Sequence, residues 1–192
     1  MYLITAYFDN NTNIKLQHLI DEVAMTTGND FMIKNDVVPH MTISAFEQRS
    51  DERAIQLFDE VADTFKYDDI MIPSIGVFLP YVIYAEAVLN EYLQTTVSEV
   101  YDVLSQDGEI RINKYYYTFN WIPHITIGKT LDKVQLQEAF KVLQDKFQPM
   151  KASIVSFGLS KPNPMRNLRM CGRLSENSLQ RKLIPTLPDN LA

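Results

Sequence analysis

Two five-residue stretches recur along the chain, Pro39-His40-Met41-Thr42-Ile43 and Pro123-His124-Ile125-Thr126-Ile127. They agree at four positions, and the one that differs is apolar in both. Side chains of a strand alternate between its faces, so each histidine shares a face with its threonine while the residues between and after them point the other way. Facing each other across a pseudo-twofold axis, the two copies would bring two imidazoles and two hydroxyls to one cleft. A single histidine in a strand reads as a half-buried polar side chain. Two in a common frame, taking two of only three histidines in the chain, read as a site. A histidine pair near neutral pH can hold one base and one acid, which suits in-line displacement at phosphorus. Threonine hydroxyls donate to the non-bridging oxygens and hold the phosphate in line.

Competing chemistries fit less well. Zinc takes three or four protein ligands, whereas His-x-Thr supplies one per strand and the only carboxylate close by is Asp36, so no metal or other cofactor is expected. Neither a P-loop nor a G-x-G-x-x-G fingerprint occurs. The single Cys171 excludes a disulfide framework, reads as a small core residue and makes a reducing, cytoplasmic setting the default. No apolar run reaches the ~18–20 residues of a membrane span, and the N-terminus reads as a strand rather than a signal peptide, so no membrane partner is expected. The net charge of −6 argues against gripping long RNA or DNA. That charge is unevenly spread. Residues 1–96 carry 5 Lys/Arg against 15 Asp/Glu, and residues 97–192 carry 13 against 9. A small phosphate-bearing ligand remains compatible with the basic half, and DNA is not expected as a partner.

Positioning the motifs requires strands, and the surrounding sequence supplies a repeating grammar. Residues 3–9 are rich in β-branched and aromatic types and predict a strand. Turn chemistry at 10–13 leads into a helix to about Thr27, closed by Gly28. A strand is predicted over 37–46, then a helix from Ser50 or Asp51 to about Phe65, with apolar residues three or four apart. Strands follow over 70–78 and 81–87. The second half repeats the pattern: a helix over 91–105 ended by Asp107-Gly108, the aromatic run Tyr115-Tyr116-Tyr117-Thr118-Phe119, the second motif, and a helix opened by Asp132 and running to about Phe147. Strands are then expected over 150–159 and 167–174. Each half reads strand–helix–strand–helix–strand, and internal duplication is the simplest account. No linker separates the halves. The fold expected is therefore α+β, one bilobal domain over 1–174, with a tail over 175–192 that lies on the surface or is poorly ordered.

Strict alternation puts Ser44 and Phe46 on the side of His40, and Gly128 and Thr130 on the side of His124. Phe46 either stacks on a base or closes the edge of the core. Tyr115, Tyr116 and Tyr117 are similar candidates. Three consecutive tyrosines cannot all be buried on one face, so at least one is expected to face solvent or ligand, and Tyr117 is carried as the candidate substrate contact. Trp121 falls on the opposite parity and is expected in the core. Lys129 and Arg169 are candidates for positive charge at the cleft, although each alone also reads as a solvated surface charge.

The paired His-x-Thr motifs resemble those of the two-histidine (2H) phosphoesterase superfamily, which includes the 2′-5′ RNA ligase-like proteins and cyclic phosphodiesterases. The stretch Ile70-Met71-Ile72-Pro73-Ser74-Ile75-Gly76-Val77-Phe78, followed by Val82-Ile83-Tyr84-Ala85, resembles the strand, Gly-x-Phe and strand passage that follows the first motif in that family. The resemblance extends over 1–174. It implies two pseudo-symmetric lobes, each an antiparallel β-sheet with helices outside, enclosing a central cleft. It also implies metal-independent hydrolysis of a phosphodiester, a 2′,3′-cyclic phosphate or a 2′-5′ linkage, with His40 as acid, His124 as base, and Thr42 and Thr126 holding the phosphate. Ligation is not expected, because no adenylation motif is present. The alternatives carried forward are a nucleotide-binding module without catalysis and degradation of a signalling cyclic nucleotide.

Overall fold

Most of the apolar and β-branched runs form strands, although the strand expected over 37–46 begins only at Met41, and the long helices between them start at side-chain caps. A computed structural model describes residues 1–162 and 165–173 of the chain. The elements are β1 (Tyr2–Phe8), α1 (Asn10–Thr27), α2 (Phe31–Lys34), β2 (Met41–Glu47), α3 (Asp51–Ala62), β3 (Asp69–Ile72), β4 (Ser74–Phe78), β5 (Val82–Glu86), α4 (Glu91–Ser105), β6 (Arg111–Ile112), β7 (His124–Gly128), α5 (Lys133–Lys146), β8 (Met150–Lys161) and β9 (Arg166–Gly172), with a 3-10 turn over Lys114–Tyr116. The expected tail beyond Ser175 lies outside the described residues.

Each long helix begins where a short polar side chain captures a free backbone N–H. Asp9, Ser50, Asn90 and Asp132 cap α1, α3, α4 and α5, and Asp132 completes a capping box with Gln135. Gly28 ends α1 in the left-handed region at φ 69°, which a residue with a Cβ adopts at a cost. The strand expected over 70–78 is instead two, because Pro73 has no N–H to continue a ladder. β3 pairs with β8 at one end of the sheet and β4 pairs with β5 at the other. The short α2 and β6 carry no periodicity and were not expected.

The nine strands of the described residues join one antiparallel sheet in the order β3-β8-β1-β2-β7-β5-β4, with β6 on β2 and β9 on β8. The two lobes are thus halves of a single sheet, meeting where β2 and β7 pair. The duplication is visible in the path: β1-α1-β2-α3-β4 and β5-α4-β7-α5-β8. Each half's last strand crosses to the outside of the other half's first strand. Helices follow the same exchange, so that α1 packs on β7 and α4 on β2. This interleaving builds one core in which Met41, Ile43, Ile125 and Ile127 are fully buried.

One close approach is visible in the second lobe. A Cβ on Gly76 would lie 2.5 Å from the ring of Tyr84 on the neighbouring strand, so the bare backbone is what lets that ring lie flat across β4. Gly76→Ala is expected to lower stability by about 1–3 kcal/mol through overpacking, and by much less in a Tyr84→Leu background. Urea denaturation of the four proteins checks this. Equal losses in both backgrounds would remove the tyrosine as the cause.

Candidate active site

Both histidines are built by the same local rule. Val38 and Ile122 precede prolines, which disfavours the helical region and holds them extended. Their carbonyls then face the imidazole two residues on: His40 Nδ1 lies 2.7 Å from the Val38 oxygen, and His124 Nδ1 lies 2.8 Å from the Ile122 oxygen. A carbonyl can only accept, so Nδ1 carries the hydrogen in both rings and Nε2 is the nitrogen left for chemistry.

Tertiary pairing brings the two motifs side by side rather than opposite one another. β2 and β7 are antiparallel neighbours with Met41 opposite Ile125. Continuing that register by one residue either way sets His40 opposite Thr126 and Thr42 opposite His124. The pseudo-twofold axis therefore passes between the two apolar residues. Trp121 is buried as expected, and its indole N–H donates to the Thr42 carbonyl at 2.9 Å, bracing one motif with the segment that leads into the other.

His40, Thr42, His124 and Thr126 all line one cavity of about 330 Å³, together with Lys129, Asn35, Asn113 and Tyr116. Its walls are otherwise apolar: Met1, Leu3, Phe31, Met32, Val37, Ala45, Phe78, Val82, Pro162 and Met165. Lys129 Nζ sits 5.8 Å from the centre of the Phe31 ring, a cation–π distance. Among the described residues no three of His, Cys, Asp and Glu gather into a metal-binding group.

Strict alternation predicted the neighbours of the motifs wrongly, and the reason is a pair of β-bulges. Ile4 pairs with Ser44 and Thr5 with Thr42, which leaves Ile43 as an extra residue. Ile83 pairs with Gly128 and Tyr84 with Thr126, which leaves Ile127 extra at the equivalent place. A bulge reverses parity beyond it. Ala45 and Lys129 thus face the cavity, while Ser44 and Phe46 turn away. Ser44 is buried with its hydroxyl unpartnered, and Phe46 is buried in a stack on Tyr2 at 5.7 Å between ring centres. Phe46 is a core residue, and the base-stacking role does not fit it. Gly128 lies against Val23, Ile83 and Leu131.

Two further candidates also lie off the cavity. Tyr117 stands edge-on to Tyr101 at 5.3 Å, and it is Tyr116 that lines the cavity, because the 3-10 turn aims successive tyrosines in different directions. Arg169 pairs with Asp59 of α3 at 2.8 Å. Lys161 and Arg166 share Asp51 at the start of the same helix. Acidic α3 thus matches much of the basic excess noted in the second half. Phe31, Asn35, Phe78 and Asn113 were not singled out from the sequence. Only Phe78, within the Gly-x-Phe passage, carried any signal.

Burial holds the His40 imidazole below its usual pKa, and charge on His124 and Lys129 acts in the same direction, while the Val38 carbonyl opposes. Burial also lowers His124, opposed by the Ile122 carbonyl. Burial raises Tyr116, with its contact to Thr42 opposing. A histidine whose folded pKa is depressed adds stability that is fully present above the unfolded value of 6.5 and is lost as pH falls below it. The melting temperature is therefore expected to fall between pH 7 and pH 5, and the His40→Gln/His124→Gln protein to show a shallower fall. Calorimetry across that range measures it; parallel curves would place the pH dependence elsewhere.

A model of the 2′-5′ RNA ligase superfamily matches residues 16–163. The fold is similar to that of E. coli LigT, seen in a crystal structure of its complex with 3′-AMP, with a TM-score of 0.60 and 12% identity over 89% of this chain and 96% of that one. A second crystal structure, of a phosphoesterase, matches with a TM-score of 0.58, again at 12% identity over 89% and 96% of the two chains. The α+β fold with its curled antiparallel sheet thus resembles that of LigT. No curated protein matches significantly in sequence.

Proposed function

The chain belongs to the 2′-5′ RNA ligase superfamily, and on that premise we propose that it hydrolyses a phosphodiester at a small nucleotide or RNA end, a 2′,3′-cyclic phosphate or a 2′-5′ linkage, without a metal. The observation that carries this reading is the pair of imidazoles with Nδ1 committed to a carbonyl and Nε2 free, each beside the other motif's threonine, in one cavity. In-line attack needs a base on the entering water, an acid on the leaving oxygen and donors on the oxygens between them. His40 and His124 supply the first two. Thr42 and Thr126 supply hydroxyl donors between them, and Lys129 supplies positive charge for the dianionic transition state.

The size and walls of the cavity support a small substrate. About 330 Å³ lies at the low end for small-molecule sites, and apolar walls with few polar groups suit a nucleoside-sized body. The complex of E. coli LigT with 3′-AMP supports a nucleotide as that body. A long polymer would need a track of unpaired cations, and Lys161, Arg166 and Arg169 are engaged by Asp51 and Asp59.

The test is turnover of a 2′,3′-cyclic nucleotide and of a 2′-5′ dinucleotide in EDTA, with 2′- and 3′-phosphate products separated by chromatography. His40→Ala and His124→Ala are each expected to lose about 10²–10⁴-fold in kcat. Thr42→Val, Thr126→Val and Lys129→Met are each expected to lose about 10²-fold. Nucleotide binding that survives both alanine variants, with no product from the wild type, would instead make the protein a binding module.

A further inference from the structure

Two motifs related by pseudo-symmetry offer no reason in themselves for either histidine to be the acid. Symmetry is broken around them, and the breaks can be read residue by residue. The bulges at Ile43 and Ile127 make Ala45 and Lys129 equivalent positions, both on the cavity side. Since β2 and β7 run antiparallel about Met41 and Ile125, residues beyond 125 run beside those before 41. Lys129 therefore stands at the His40 end of the pair, and uncharged Ala45 at the His124 end.

The outer strands differ as well. Equivalent pairings make Tyr84 the counterpart of Thr5, and Phe78 the counterpart of Ser160. On the second-lobe side these form an aromatic wall: Phe78 and Tyr84 stack at 4.3 Å and stand at 4.9 Å and 5.5 Å from the His124 ring, both edge-to-face. Among the described residues, the one aromatic ring paired with His40 is Tyr7, at 6.4 Å and tilted. The face of an aromatic ring favours an imidazolium within about 6 Å of its centre, whereas an ammonium nearby disfavours one.

We propose that this asymmetry makes His124 the general acid and His40 the general base, with Lys129 setting the order. These roles are the reverse of those implied by the family resemblance, and they rest on the phosphodiesterase reading above. The other charged and titratable groups around the pair leave that order in place. Tyr7, buried on β1 with its hydroxyl donating to Asn167 at 2.9 Å and its pKa raised to about 12, stays neutral. Asp30, just before α2, pairs with Lys34 of that helix at 2.9 Å, and Asp36 is exposed. Glu86, across the strand pair from His124, accepts from Ser74 Oγ at 3.4 Å, and any residual field from it favours charge on His124. Tyr116 and Tyr84 are raised by burial and stay neutral.

In the reaction, water attacks phosphorus as its proton passes to His40 Nε2, forming the new P–O bond. The P–O bond to the leaving oxygen breaks as His124 Nε2 gives that oxygen its proton. The enzyme returns to its starting state when His40 releases a proton to solvent and His124 takes one up. No other reactant is consumed.

Two measurements test the order and the roles separately. Histidine ring signals of the full chain are followed by NMR against pH in His124→Gln, where His40 titrates without its partner, and in His40→Gln, where His124 does. His124 is expected to titrate at the higher pH, and Lys129→Met to raise the His40 midpoint more than that of His124. The reverse order, or a Lys129 effect confined to His124, overturns the proposal. For the roles, an activated leaving group needs no acid. His124→Ala is expected to lose at least tenfold less on bis(4-nitrophenyl) phosphate than on a 2′,3′-cyclic nucleotide, and His40→Ala to lose equally on both. Rescue of His40→Ala instead overturns the assignment. A wild type inactive on both esters defeats the phosphodiesterase reading, and with it the acid and base roles; the NMR order then judges the Lys129 effect alone.

Discussion

The pairing of β2 with β7 at Met41 and Ile125 is the constraint on which the site depends. Because side chains alternate across a sheet, burying these two apolar residues in the shared core commits His40, Thr42, His124 and Thr126 to the opposite face. A slip of one residue would bury the imidazoles and expose the methionine and isoleucine. The register is therefore held by the hydrophobic core, at a strength set by the full burial of Met41, Ile43, Ile125 and Ile127. The exchange of helices and closing strands between the halves ties that pairing to the whole fold.

Around this junction, local chemistry finishes what the register begins. Proline before each histidine holds the preceding carbonyl where Nδ1 can reach it, which fixes the tautomer without a carboxylate partner. The bulges then turn one further residue of each strand into the cavity. In one lobe that residue is alanine and in the other it is lysine, so an arrangement that is symmetric in backbone is asymmetric in charge. On the proposed reading that difference matters, because hydrolysis of a phosphodiester has one oxygen entering and another leaving.

Much of this was legible in the sequence. The helix starts at Ser50 and Asp132 follow from capping residues that act within one turn of chain, whereas α1 begins at Asn10, inside the stretch expected as a turn, with Asp9 as its cap. The duplication was visible because the motif kept its spacing. Other features were not legible. Pro73 marked a break, but that β3 and β4 would join opposite ends of the sheet depends on distant partners. The bulges arise from how β1 and β5 meet the motif strands, so alternation alone misassigned Ser44 and Phe46. Tyr116 rather than Tyr117 reaches the cavity because of a turn whose three residues show no periodicity. The basic residues of β8 and β9 look available in a linear sequence, and only the packing of α3 reveals Asp51 and Asp59 beside them.

By itself, then, the sequence determined which four side chains share a face and that they come as two equivalent pairs, because strand alternation and duplication are properties of the chain alone. It also determined that the fold is α+β, since periodicity and caps are local. Only the tertiary structure decided that the two motifs are adjacent strands of one sheet, with each histidine next to the other motif's threonine. It alone decided that Lys129 stands at His40 while aromatic rings stand at His124. Those facts belong to register and bulges, which are set by contacts between residues far apart in sequence, and no window along the chain contains them.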